Sequence, residues 1–414
     1  ARGGATIRVF GDLDMVSTRG TGIYVNNGNL TLGSEKSPNT VNITTTIDKD
    51  TKWGNNVTTH YDGVTVEGGS LMSYGTFKVT HKGVANDAQS GSDYLNFKIK
   101  SFAVRVEQST NADTDTKVTI QAGNIQSVVD GEGSSQTGGG GGLFVGGGTV
   151  TLGKENRKEG DDLTIIANGN HAFNNDNDVY IDFDSNHGNW AYKLPRTGGH
   201  AVQVGSVGSS TQAKLTVYYG TYQANMGNGI LVSNGTVDIV DGTFIGADSY
   251  KNNADDPMSG AAASYGFKLY GGEITIETGT FGQSTAVGGG AFIMGTSGAP
   301  AKATIKSGTF KVAGTAGVSV YQYADVVFGQ EEQDNSGLTL YGNSNALSIE
   351  SHTGSSSVKI YGGAFSGGQD GIWYGEAATK LEILGGTFKA DEDASDSRDA
   401  RAGVESGFGR VSGC

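Results

Sequence analysis

The chain has 414 residues, among them 69 glycines, four prolines and one cysteine, and a formal charge of −14 at neutral pH. That acidity speaks against nucleic acid or an anionic membrane as partner, since both select basic patches. The lone Cys414 rules out a disulfide framework and a cysteine-held metal, and no apolar run approaches the roughly 18 residues of a membrane span, so no membrane insertion by this segment is expected.

In chain order, residues 5–10 (Ala-Thr-Ile-Arg-Val-Phe) read as a strand. Residues 22–33 and 142–153 align position by position, each opening on glycine and closing on Thr-Leu-Gly, and further units are read at 63–77, 102–125 and 200–222. Between 161 and 195 the pattern loosens into an Asn- and Asp-rich stretch with one clear strand at 179–183.

From there one phrase recurs. Residues 236–244, Thr-Val-Asp-Ile-Val-Asp-Gly-Thr-Phe, have copies at 215–222, 274–281, 303–310, 358–365 and 381–388, with fainter ones ending at Phe77 and Ile125. Alternating aliphatics such as Val237 and Ile239 give one apolar strand face, the glycine turns the chain, and the aromatic returns to the same side. At 338–345 the phrase predicts Asn343 in the glycine position, since Asn also tolerates the left-handed region, and Asn345 in the aromatic one. The turn positions 220, 242, 279, 308, 343, 363 and 386 lie 22, 37, 29, 35, 20 and 23 residues apart, the long intervals carrying insertions at 247–263 and 328–337. A second phrase precedes each copy, at 229–232, 266–269, 291–294, 317–320, 346–349 and 371–374.

Short strands with one inward face, glycine corners and a repeat of 20 to 37 residues predict an all-β fold, a right-handed single-stranded parallel β-helix. Roughly 12 to 14 coils make a rod roughly 60 Å long at about 4.8 Å per coil. Residues 1–390 are expected to form one solenoid; 391–414, with five acidic residues between Asp391 and Asp399, read as an acidic tail, cap or linker with no strand phrase.

The glycine-turn-aromatic phrase, the Val-Thr-Leu-Gly corners and the near absence of cysteine resemble the right-handed β-helix passengers of bacterial autotransporters and related surface adhesins. This resemblance implies a secreted protein displayed on a bacterial cell surface. The expected function is non-enzymatic, an adhesin or a structural subunit of a surface assembly, with a host or neighbouring-cell surface, a glycan or further copies of the chain as partner. A strand-like start and an unusual tail suggest head-to-tail joining into a filament. A phage tailspike or fibre shaft is the alternative within the binding class, and a polysaccharide lyase or hydrolase of the pectin-lyase-like group the alternative outside it.

Function on a solenoid sits in its outward columns. The residue after each inward aliphatic forms one such column, Tyr218, Val240, Glu277, Lys306, Tyr361 and Leu384, and its apolar members Tyr218, Val240, Tyr361 and Leu384 are the candidate contact stripe. Pectin-active hydrolases use paired acids in Asn-Thr-Asp and Asp-Asp motifs beside Gly-His-Gly. Here Asn39-Thr40 runs into Val41, the pairs Asp161-Asp162 and Asp255-Asp256 sit in loop sequence, and Gly-His-Gly is absent, so no catalytic residue is assigned. The enzyme alternative requires acids and a base converging on one outward strand face.

No cofactor is expected. Asp176, Asp178, Asp182 and Asp184 could hold a structural calcium through oxygen ligands, although the stretch reads first as a solvated polar loop. The histidines 60, 81, 171, 187, 200 and 352 lack metal-ligand spacing and are expected at the surface or at corners, the glycine run 138–142 reads as a flexible corner, and Trp190-Ala191-Tyr192 and Trp373-Tyr374 are aromatic patches that either stack on a sugar or are covered.

Overall fold

The computed structural model describes residues 2–18, 20–47, 62–84, 102–109, 115–130, 141–168, 180–181, 192–193, 200–206, 211–225, 227–246, 264–282, 289–312, 316–350, 354–375, 379–390 and 404–406. Among them there is no helix, and 32 strands join one sheet in which every pair runs parallel. The chain is a parallel β-helix.

Its coils are built from three columns of strands. One coil consists of Phe267–Leu269 in the first column, Gly272–Ile276 in the second and Thr280–Phe281 in the third. Each strand pairs in register with its counterparts one coil before and one coil after. Eleven successive pairings in the second column, from Thr6–Val9 to Thr379–Ile383, make twelve rungs. At about 4.8 Å per rung the stack is roughly 55 to 60 Å long.

The alternation read from the sequence fills the core. In the second column Leu215, Val237, Ile274, Ala303, Val326 and Val358 lie one above another, all buried. In the third, Tyr222, Phe244, Phe281 and Phe310 form a continuous stack with ring centroids 4.8, 5.0 and 4.7 Å apart, a separation set by the rung spacing itself. Gly242 makes the turn into this stack at φ 152°, and a Cβ there would sit 3.0 Å from the Phe244 ring. Glycine is thus required for both backbone and space.

One coil departs from the expected register. Leu338–Gly342 pairs with Gly308–Lys311 and Ala364–Gly367, so it belongs to the third column, and Leu340 continues the ring stack between Phe310 and Phe365. Asn343 therefore does not replace a turn glycine, and Asn345 does not stand in the aromatic position; Asn345–Ile349 is already the next first-column strand. The second-column strand of this coil is Ala324–Phe328, with inward Val326 and Phe328, a stretch that the repeat phrase left unread. Two changes hid it: Phe328 fills the inward slot usually held by Ile, and 330–337 separates strand from turn. The aromatic positions 222, 244, 281, 310, 340, 365 and 388 now fall 22, 37, 29, 30, 25 and 23 residues apart.

Two further differences concern segments outside the main repeat. Tyr180–Ile181 is no coil strand; it pairs antiparallel with Tyr192–Lys193 in a separate two-stranded sheet. Within 391–414, Val404–Ser406 returns as one more first-column rung beside 372–374, although no strand phrase marks it.

Candidate functional site

The stripe residues follow the inward aliphatics on the outward side, although Tyr218 also packs against the core. Val240, Tyr361 and Leu384 each donate their backbone N–H to the rung before, to Val217, Phe328 and Ile360, and Val240 and Leu384 are 38% and 54% exposed. Tyr218 and Tyr361 are half-buried. The row is not continuous, however. Glu277, Lys306 and Gly329 occupy it in the three intervening coils, with Lys306 Nζ 2.5 Å from Glu277 Oε1. The structure therefore brings Tyr218 next to Val240, and Tyr361 next to Leu384, as two separate pairs. Lys359 Nζ lies 4.6 Å from the Tyr361 ring centroid and Tyr361 Oη donates to Glu331 at 3.3 Å, which makes the second pair partly polar.

The outward face of the first column holds a constellation that the sequence did not disclose. In-register pairing stacks Tyr24, Thr65, Arg105 and Phe144 in one row and Asn26, Glu67 and Glu107 in the next. Arg105 is 4% exposed; its Nε donates to Asp62 Oδ2 at 2.7 Å and its Nη1 to Glu107 Oε1 at 3.2 Å, while Phe102 and Phe144 flank the guanidinium at 5.0 Å each. Asp62 also accepts the Phe102 N–H at 2.7 Å. Tyr24 Oη donates to Glu67 Oε2 at 2.5 Å, and Asn26 Nδ2 reaches the same oxygen at 3.3 Å. Burial raises Asp62 and Glu107 above the usual carboxylate range against the opposing pull of Arg105, and burial together with Glu67 raises Tyr24. Three carboxylates and one guanidinium converge here, on one outward strand face.

Further along the same face Lys268 lies among rings, its ammonium 4.9 Å from the centroids of Tyr270 and Phe292 and 5.4 Å from that of Tyr265, with Leu231, Met294 and Tyr321 completing the cluster. Burial lowers it to about 7. The repeat phrase sets Phe292 opposite Ile230 and Phe267, but Ala291 takes that place, and this register turns Phe292 outward over Lys268. Nearby, His200 Nδ1 accepts from the Asn228 backbone N–H at 3.1 Å and Asn228 Oδ1 accepts from the Tyr265 N–H at 2.8 Å, which fixes His200 as the neutral ring; burial and Lys268 hold it down to about 3.

His81 corrects the expectation of surface histidines. It is 2% exposed in an inward third-column row between Thr45 and Ser127, with Nδ1 2.7 Å from Thr45 Oγ1. The alternation Phe77, Val79, His81 carried that signal. Burial lowers His81 from 6.5 to about 4. Because the folded value lies below the unfolded one, its contribution is complete above about 6.5 and is lost as pH falls from 6.5 through 4, by up to about 3 kcal/mol. In chemical denaturation the stability gap between the wild type and His81→Leu is expected to narrow over that window. A gap independent of pH would exclude a buried neutral His81.

The remaining sequence candidates divide. Asp161 is paired with Lys154 at 2.6 Å and Asp162 with Arg157 at 2.8 Å, both in a corner. Trp373 is outward and half-buried, and Tyr374 Oη donates to Thr379 O at 2.5 Å. Asp176, Asp178, Asp182 and Asp184, Asp255 and Asp256, Trp190, and histidines 60, 171, 187 and 352 lie outside the described residues. Among the described residues no group of three or more His, Cys, Asp or Glu is arranged to hold a metal.

No protein-family model, curated protein or solved structure matches this chain.

Proposed function

We propose that the chain is a non-enzymatic, extracellular surface rod, of the kind displayed by the autotransporter passengers its repeats resemble, acting by presenting its sides to a host or neighbouring cell. The observation that supports this reading is that the acids best placed for chemistry are already committed within the protein. Asp62 is held by Arg105 and the Phe102 N–H, Glu107 by Arg105, and Glu67 by Tyr24 and Asn26. A carboxyl that protonates a leaving group, or activates a water, must face substrate instead.

A structural subunit of a filament is the second reading, and register favours it. Ile7 and Leu381 occupy the same inward row of the second column, and Arg8 and Glu382 the same outward row, in the first and last rungs of that column among the described residues. A further copy stacked end to end would continue the sheet with opposite charges in contact.

Incubating the purified chain with cells and with a polysaccharide panel, and imaging it by electron microscopy over a wide concentration range, tests both. Retention on surfaces without soluble sugar products is the expected result. Products whose release is abolished by Glu107→Gln would establish the lyase or hydrolase alternative, and isolated rods at every concentration would end the filament reading.

A further inference from the structure

The corners between the second and third columns differ in length in a way that shapes the surface. In the coil of Ile23–Leu32 the corner is the seven residues 33–39, and three coils later, between Gly148–Leu152 and Leu163–Asn168, it is the ten residues 153–162. The two coils between them turn almost without a loop, the strands Val64–Val84 and Thr116–Asp130 running straight through. Gly75 permits this tight passage, since a Cβ there would meet Asn39 O at 1.9 Å. Two long corners thus bracket two short ones and leave a trough of about 600 Å³, its walls three rungs apart. Three rungs is roughly 14 Å, wide enough for one polymer strand.

Both walls are preformed. Ser34 and Ser37 exchange backbone hydrogen bonds at 3.0 and 3.1 Å, and Asn39 Nδ2 donates to Gly11 O at 2.8 Å. Opposite, Lys154 bridges to Asp161 at 2.6 Å, the Lys158 N–H donates to the same carboxylate at 2.7 Å, and the Arg157 guanidinium stacks 4.9 Å from the centroid of Tyr219, whose hydroxyl donates to Gln121 O at 2.7 Å. A site held this way needs no ordering when a ligand arrives. The trough is lined by Glu35, Pro38, Tyr74, Gln121, Lys158 and Glu159 among others, so it offers a half-buried aromatic ring, an amide, carboxylate acceptors and an ammonium donor within one concave surface.

The geometry points to a binding site for a neutral oligosaccharide strand. Sugar hydroxyls both donate and accept, which suits the mixture of carboxylate, amide and ammonium groups, and the C–H face of a sugar ring suits the flat side of Tyr74. An anionic polymer is disfavoured: four carboxylates line the trough (Glu35, Glu155, Glu159, Asp161) against two lysines, of which Lys154 is already neutralised by Asp161. This site deepens the surface-binding reading by naming a ligand class and a place for it, and it depends on that reading only for its biological setting.

Calorimetric titration of the full chain with neutral gluco- and galacto-hexasaccharides, a uronate hexasaccharide and oligolysine tests it. Saturable binding of a neutral hexasaccharide is expected, weakened roughly tenfold by Tyr74→Ala and by Glu159→Arg, with both variants keeping the wild-type circular dichroism spectrum. Lack of saturable binding by any neutral hexasaccharide, binding indifferent to both substitutions, or preference for the uronate or oligolysine would each overturn the assignment. Absence of wild-type retention on cells, with saturable saccharide binding kept, would remove the broader reading and leave the trough standing, so the two fail separately.

Discussion

Replacing Phe310 with Ala is expected to lower the stability of the rod by about 3 to 5 kcal/mol, visible as a shift of the denaturant midpoint followed by circular dichroism. Phe310 is fully buried, stacked on Phe281 at 4.7 Å with the rings 9° from parallel, and in edge contact with Phe267 at 6.1 Å. The cavity left by Ala cannot collapse, because the rungs above and below are fixed at the sheet spacing by their own hydrogen bonds. Neighbour-by-neighbour stacking also predicts where the damage spreads. Amide exchange should accelerate first in Thr280–Phe281 and Leu338–Gly342, the rungs on either side of the lesion. An unchanged midpoint would mean that the inward aromatic column does not carry the core.

The second large effect concerns Arg105. Its partner Asp62 has a side chain with no exposure, so Arg105→Met leaves a buried carboxylate without its counter-charge, a change expected to cost about 3 to 5 kcal/mol. Adding Asp62→Asn to the same chain should recover most of the loss, since replacing both members of a buried pair removes the uncompensated charge. The single variant should also be less impaired in acid. Burial already raises Asp62, and without Arg105 it rises further, so the penalty shrinks as pH falls and the carboxyl takes up a proton. A double variant no more stable than the single one would show that the arginine acts mainly through its packing against Phe102 and Phe144.

What could be read in advance, and what could not, follows from the range of the signal. The inward rows and the turn glycines are local patterns, two residues apart or one turn long, and Val237, Ile239, Gly242 and Phe244 stand as expected. The cluster of Asp62, Glu67, Arg105, Glu107 and Tyr24 is different, because its members come from three coils and meet only through the register between them. That register depends on the length of chain between Thr40–Ile47 and Val64–Val84 and between Val64–Val84 and Phe102–Glu107, and no periodicity encodes it. The coil of Ala324–Phe328 escapes the repeat phrase for a related reason: an insertion displaces the turn from its strand. His81 was a different kind of omission. Its alternation was plain, but the residue type suggested the surface, and a Thr45 hydroxyl supplies the partner that makes burial tolerable.

The twelve rungs have a mechanical corollary. Every backbone hydrogen bond between coils lies along the rod axis, so a pull on the two ends of the stack loads these bonds in the direction in which they open. They give way one coil at a time, as a zipper does, and not in the collective shear that strengthens sheets pulled along their strands. With repeats of 22 to 37 residues, each event would release about 75 to 130 Å of extended chain. A rod of this construction is stiff under compression and bending yet pays out length under tension, yielding a short coil at a time while the coils behind it stay folded.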